Sequence, residues 1–189
     1  MASKFGSRPV GSDGSDHWHR ESIAWQYKVS SENKYRLRWD IFLHFLMIFM
    51  MFIRLLPGLT ALLGFSIQSL RRWDLPAPRP WEYAWFVTLV VALMGWKSTP
   101  QNNSFLLKQF MLGTVVFGIL PVLYGFYDLS DHLKAYVYEK KFTYVLFGYP
   151  AVVVWSLFLA AAVQLHVFAL YFAIVLLRAW KPRGVKKMN

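Results

Sequence analysis

Four apolar runs occupy nearly half of this 189-residue chain, and their lengths point to a bilayer instead of a soluble core. A helix needs about 20 mainly apolar residues to cross roughly 30 Å of hydrocarbon. The runs extend from about Ile41 to Leu56, Tyr83 to Trp96, Phe105 to Tyr127 and Tyr144 to Leu177. They predict an all-α membrane protein with four transmembrane helices in a bundle over residues 40–177. A flexible cytosolic tail precedes it over 1–39, and a short basic cytosolic tail follows over 178–189. The second run supplies only about 21 Å of helix, so it must borrow Trp81 and Glu82 at one end and Lys97 and Ser98 at the other. The fourth is longer than a bilayer needs and must tilt or project toward Trp180 and Pro182. Pro150 near its start suits a first helical turn or a kink.

The N-terminal segment is hydrophilic, so the run beginning at Ile41 is expected to act as an uncleaved signal anchor. The chain has no cysteine, which excludes disulfides, thiolate metal sites and S-palmitoylation together. Its formal charge of +11 flanks the apolar runs and forms no continuous stripe, so the acidic partner is expected to be membrane lipid and not nucleic acid.

Charge also sets the orientation. Lys4, Arg8, Arg20, Lys28, Lys34, Arg36 and Arg38 precede the first run, Lys97 follows the second, and Arg178, Lys181, Arg183, Lys186 and Lys187 follow the fourth. The opposite face holds Arg71, Arg72, Arg79, Lys134, Lys140 and Lys141. Thirteen basic residues against six place both termini in the cytosol by the positive-inside rule. Asn102, Asn103 and Ser104 form a glycosylation sequon that stays unmodified on this topology. Trp81, Tyr83, Trp96, Tyr127 and Tyr144 cluster at run ends, where an aromatic belt belongs.

Between and before the runs the texture is mixed. Ala2 to Ser15 is rich in Ser and Gly and reads as a leader without periodicity. Ile23, Trp25, Tyr27 and Val29 outline a candidate interfacial helix, and Ser31 followed by Glu32 looks like a new helix start. Leu59 to Ile67 is expected to lie along the lumenal interface, and Pro76, Pro78 and Pro80 to force an extended path. A short surface helix is expected from His132 to Glu139.

Lys186 and Lys187 stand fourth and third from the end of the chain, an arrangement that resembles the dilysine retrieval signal of endoplasmic-reticulum membrane proteins. Such a signal is read by coatomer (COPI), whose acidic sites take the two ammonium groups, and it works only on a cytosolic tail.

In order along the chain stand Gly11-Ser12-Asp13-Gly14-Ser15-Asp16 with His19-Arg20-Glu21, Trp81-Glu82-Tyr83, Asn102-Asn103, Leu123-Tyr124-Gly125, Leu146-Phe147-Gly148 and Ala162-Val163-Gln164-Leu165-His166. Together these resemble the Jagunal family over nearly the whole chain. The resemblance implies an endoplasmic-reticulum membrane protein tied to reticulum organisation, vesicle-mediated transport and coatomer-dependent handling of secretory or membrane cargo. It carries over no catalytic residues.

Ionisable and amide side chains at membrane depth are the remaining candidates for chemistry. Gln164 and His166 lie in the fourth run, two residues and about 200° apart on a helix, so each needs a partner on a neighbouring span. His44 starts the first run, His132 sits in a loop, and His17 and His19 lie in the tail, so no metal set is expected. Arg54 and Lys108, near run ends, are expected to snorkel. No phosphate loop, paired carboxylates, Ser/His/Asp arrangement or internal repeat is visible, which argues against an enzyme, a cofactor and a secondary transporter. A trafficking adaptor that binds cargo or its own copies fits best. The alternative is a lipid- or ion-handling protein with a polar site around Gln164 and His166.

Overall fold

The computed structural model describes residues 15–64, 76–142, 144–146 and 148–180. Three elements dominate it. Helix α1 runs from Ser15 to Leu62 without interruption, 48 residues or about 72 Å. The interfacial helix and the separate start at Ser31 are therefore one rod with the first span. Helix propensity favours this: between Glu21 and Trp39 there is no Gly or Pro to break the turn. The rod also passes Pro57, which hydropathy alone leaves beyond the span, and Thr60 Oγ1 donates to the Leu56 and Pro57 carbonyls in that last stretch.

The second expected span is divided. Helix α2 covers Pro80–Phe86 and α3 covers Thr88–Gln101, with Val87 between them at φ −59° and ψ −21°. Pro80 starts α2 at a position that needs no N–H, and Arg79 before it is held extended. Asn102 then closes α3 in the left-handed conformation at φ 50°, while the Asn103 side chain accepts from the N–H groups of Phe105 and Leu106 to open α4. Two consecutive asparagines thus make the whole reversal.

Helix α4, Ser104–Gly113, passes through a π-helical segment, Thr114–Ile119, into α5, Leu120–Glu139. At the junction the Leu120 N–H reaches the Val115 carbonyl, five residues back, directly before Pro121. The expected surface helix over 132–139 is the continuation of this rod. Residues Val145–Leu146 (β1) and Tyr149–Pro150 (β2) form a small antiparallel hairpin turned at Gly148, φ +84°. Helix α6 follows over Ala151–Trp180, so it starts seven residues later than the apolar run does, because Gly148 and Pro150 favour the hairpin.

Among the described residues, three helices are long and apolar enough to cross a membrane: Arg20–Leu62 within α1, Ser104–Glu139, and Ala151–Trp180. The outer surface fits that environment, with Phe49 62%, Met50 59%, Leu112 60% and Leu157 67% exposed. Because lipid is as apolar as Leu, the helices gain stability mainly from close packing. A Cβ on Gly95 would come within 2.6 Å of the Phe110 ring, and one on Gly113 within 2.6 Å of the Val91 side chain, so side chains of α3 and α4 pack directly on the glycine backbone of the facing helix.

The neighbours run antiparallel. Along α1 and α6, Trp180 Nε1 donates to Ser30 Oγ at 3.0 Å, His44 meets His166, and the Arg54 guanidinium lies over the Trp155 ring. Along α1 and α2–α3, Arg38 Nε donates to Thr99 Oγ1 at 3.1 Å, His44 meets Thr88, and Arg54 meets Glu82. The stretches 1–14, 65–75 and 181–189 lie outside the described residues, and with them most of the Ser/Gly leader, Arg71, Arg72, Lys186 and Lys187.

Candidate functional site

Imidazoles from two helices meet at the centre of the molecule. His44 on α1 and His166 on α6 stand edge to face with ring centroids 4.9 Å apart. Trp85 at the end of α2 donates Nε1–H to His166 Nε2 at 3.0 Å, and Thr88 at the start of α3 shares a hydrogen bond with His44 Nε2 at 3.1 Å. An indole N–H can only donate, so His166 Nε2 must accept and its ring proton resides on Nδ1. All four side chains are buried.

The π-helical segment completes this layer. A Cβ on Gly118 would lie 2.9 Å from both Cε1 and Nε2 of His166, so the ring packs directly on the backbone of that segment. Thr114 is also buried, its hydroxyl turned back to the Phe110 carbonyl at 2.8 Å. Every long element therefore contributes to one polar layer, and the two hydrogen bonds of its imidazoles each join segments distant in sequence.

A second layer lies about 15 Å farther along α1. Arg54 Nε stands 3.5 Å from Glu82 Oε2, with side-chain exposures of 10% and 2%. Arg54 Nη1 and Glu82 Oε2 are buried without a hydrogen-bond partner among the described residues. Beyond this pair, Asp128 on α5 binds Arg79 and accepts from Trp81 Nε1 at 3.2 Å, and Arg79 Nη2 reaches His132 Nε2 at 3.1 Å. Trp81 and Trp155 cross edge to face between the two groups, their centroids 5.7 Å apart.

The two intramembrane residues singled out from sequence part company here. His166 enters the central layer, whereas Gln164 is exposed on the outer side of α6, beside Leu165 and Phe168. Arg54 is paired and not snorkelling, while Lys108 is exposed. Sequence reasoning missed Trp85, Thr88 and the depth of His44 and Glu82. One signal was available: Pro80 as a first helical residue puts Glu82 inside the helix. Among the described residues, no three His, Cys, Asp or Glu side chains come together as a metal would require.

A helical membrane protein whose segments are joined through a buried imidazole layer is the class these features define. The chain belongs to the Jagunal family. It matches the family model described as "Jagunal, ER re-organisation during oogenesis" over residues 1–184. It is 33% identical to Protein jagunal of Drosophila melanogaster over 190 residues, 97% of this chain and 96% of the relative. It is 32% identical to Protein jagunal homolog 1 of Homo sapiens over 180 residues, 95% and 94% of the two chains. To Protein jagunal homolog of Caenorhabditis elegans it is 30% identical over 184 residues, 95% and 97%.

Proposed function

We propose that this chain is a non-catalytic, multi-pass protein of the endoplasmic-reticulum membrane that crosses four times, keeps both termini in the cytosol and is retrieved by coatomer through Lys186 and Lys187. In this reading α2 and α3 together make the second crossing. Val87 keeps right-handed helical angles, and Pro80–Gln101 offers about 33 Å of nearly continuous helix, enough for the hydrocarbon.

The observation that carries the reading is the contact of Trp180 with Ser30 and, through its ring, with Lys34 at 5.7 Å. It brings the end of α6 beside the N-terminal arm of α1, so the two tails leave from one end of the molecule. That end is rich in Lys and Arg, which supports the cytosolic assignment. The two lysines follow Trp180 by six and seven residues in the sequence, on the side where α6 ends. A dilysine of modest affinity gains avidity when several tails, from copies of the chain or from a complex with secretory or membrane cargo, meet one coat. Reticulum organisation, the role named in the family description, follows from holding such assemblies in the early secretory pathway.

The Lys186→Ser, Lys187→Ser double variant tests this. It is expected to fold as the parent does, to lose coatomer binding in pull-downs and to appear in the Golgi or at the cell surface. Unchanged binding and residence would mean that the helices, not the tail, hold the protein in place.

A further inference from the structure

Along the seam of α1 and α6 runs an apolar groove of about 1050 Å³, walled by Met47 and Met50 on one helix and Leu157 and Ala161 on the other. Tyr149 of the hairpin stands at one end, and Arg54 is the charged residue among the described lining. A second, mainly apolar groove shares Met47, Met50 and Ala161, takes in Gln164 and continues past Leu43 toward Asp40 and Arg36. From Arg54 to Leu43 the path measures about 16 Å along α1, close to the roughly 15 Å of hydrocarbon in one leaflet.

The polar end of this groove is incomplete. Arg54 is nine-tenths buried, its Nε faces Glu82, and its Nη1 has no acceptor among the described residues. Glu82 answers Nε but leaves Nη1 without an acceptor, and a phosphate oxygen supplies one in the geometry Arg favours. We propose that the groove holds a glycerophospholipid of the bilayer, with its phosphate on Arg54 and one acyl chain laid between α1 and α6. The cation at one end and the apolar walls over a leaflet's depth match the two halves of that molecule.

The test uses the full-length chain in detergent micelles doped with 1-palmitoyl-2-oleoyl phosphatidylglycerol or with the diacylglycerol of the same chains, bound lipid being read by native mass spectrometry. The parent is expected to hold the phospholipid about tenfold more tightly than the diacylglycerol. Arg54→Gln should abolish that preference. Leu157→Trp, which fills the groove at an outward-facing position, should weaken both lipids by about tenfold. Equal binding of the two lipids by the parent would reduce the site to an apolar groove and overturn the proposal. So would undiminished binding by Leu157→Trp, or a dimer whose subunits cover the groove and exclude lipid. If Arg54→Gln fails to fold, the two lipids on the parent and the Leu157→Trp variant still decide the matter.

Discussion

Glu82→Leu is expected to destabilise the protein by about 3–5 kcal/mol, the usual cost of removing one partner from a buried ion pair. The carboxylate is 2% exposed and faces Arg54 Nε at 3.5 Å, so its loss strands a guanidinium in a low-dielectric interior. The Trp155 ring beside Arg54 offers a partial cation–π contact and no acceptor oxygen. Arg54→Met strands the carboxylate in the same way. The double variant Arg54→Met, Glu82→Leu leaves neither charge unpaired and is expected to recover most of the loss, because a well-packed apolar pair often equals a buried ionic one. Unfolding in detergent micelles, followed by circular dichroism across the four members of this cycle, measures the coupling. Additive losses would mean that the two charges are held by other groups.

Gly118→Leu is expected to cost about 3 kcal/mol, at the upper end for overpacking. Even the Cβ of the new side chain would stand 2.9 Å from the His166 ring. That ring cannot retreat freely, since Trp85 holds its Nε2 and His44 packs on its face. Displacing it would break the Trp85 hydrogen bond and leave a buried N–H without a partner. Gln164→Leu, two residues from His166, is the matched control: its side chain is exposed, and its effect should stay within about 0.5 kcal/mol. A thermal shift in micelles that is as large for Gln164→Leu as for Gly118→Leu would contradict the central layer described here.

These two sites show where the sequence is informative. Run lengths and the apolar surface are local properties, and α1, α4–α5 and α6 each overlap the apolar run that hydropathy marks, whereas Pro80, expected to extend the chain, instead opens a helix. Boundaries shifted for local reasons that compete with hydropathy: the Gly148 turn delays α6, and good helix formers carry α1 far outside its apolar run. The meeting of His44 with His166 is different in kind. It depends on how α1 and α6 lie against each other, and a period of 3.6 residues tells which side of each helix a residue occupies but not which helix it faces. For the same reason Gln164 and His166, equal candidates in sequence, separate only when α6 is packed, which buries His166 and leaves Gln164 exposed at the groove beside α1. The Arg54–Glu82 pair was hidden because each residue sits near a run end, where exposure is the ordinary expectation.

The number of crossings carries the whole account, since a coat signal requires a cytosolic tail. Epitopes at both termini, probed in cells whose plasma membrane is opened while the reticulum membrane stays sealed, test it directly. Both epitopes are expected to be reached by antibody, and Asn102 to carry no glycan. An exposed N-terminal epitope with a protected C-terminal one would mean an odd number of crossings, with α2–α3 left outside the bilayer and Lys186 and Lys187 out of coatomer's reach.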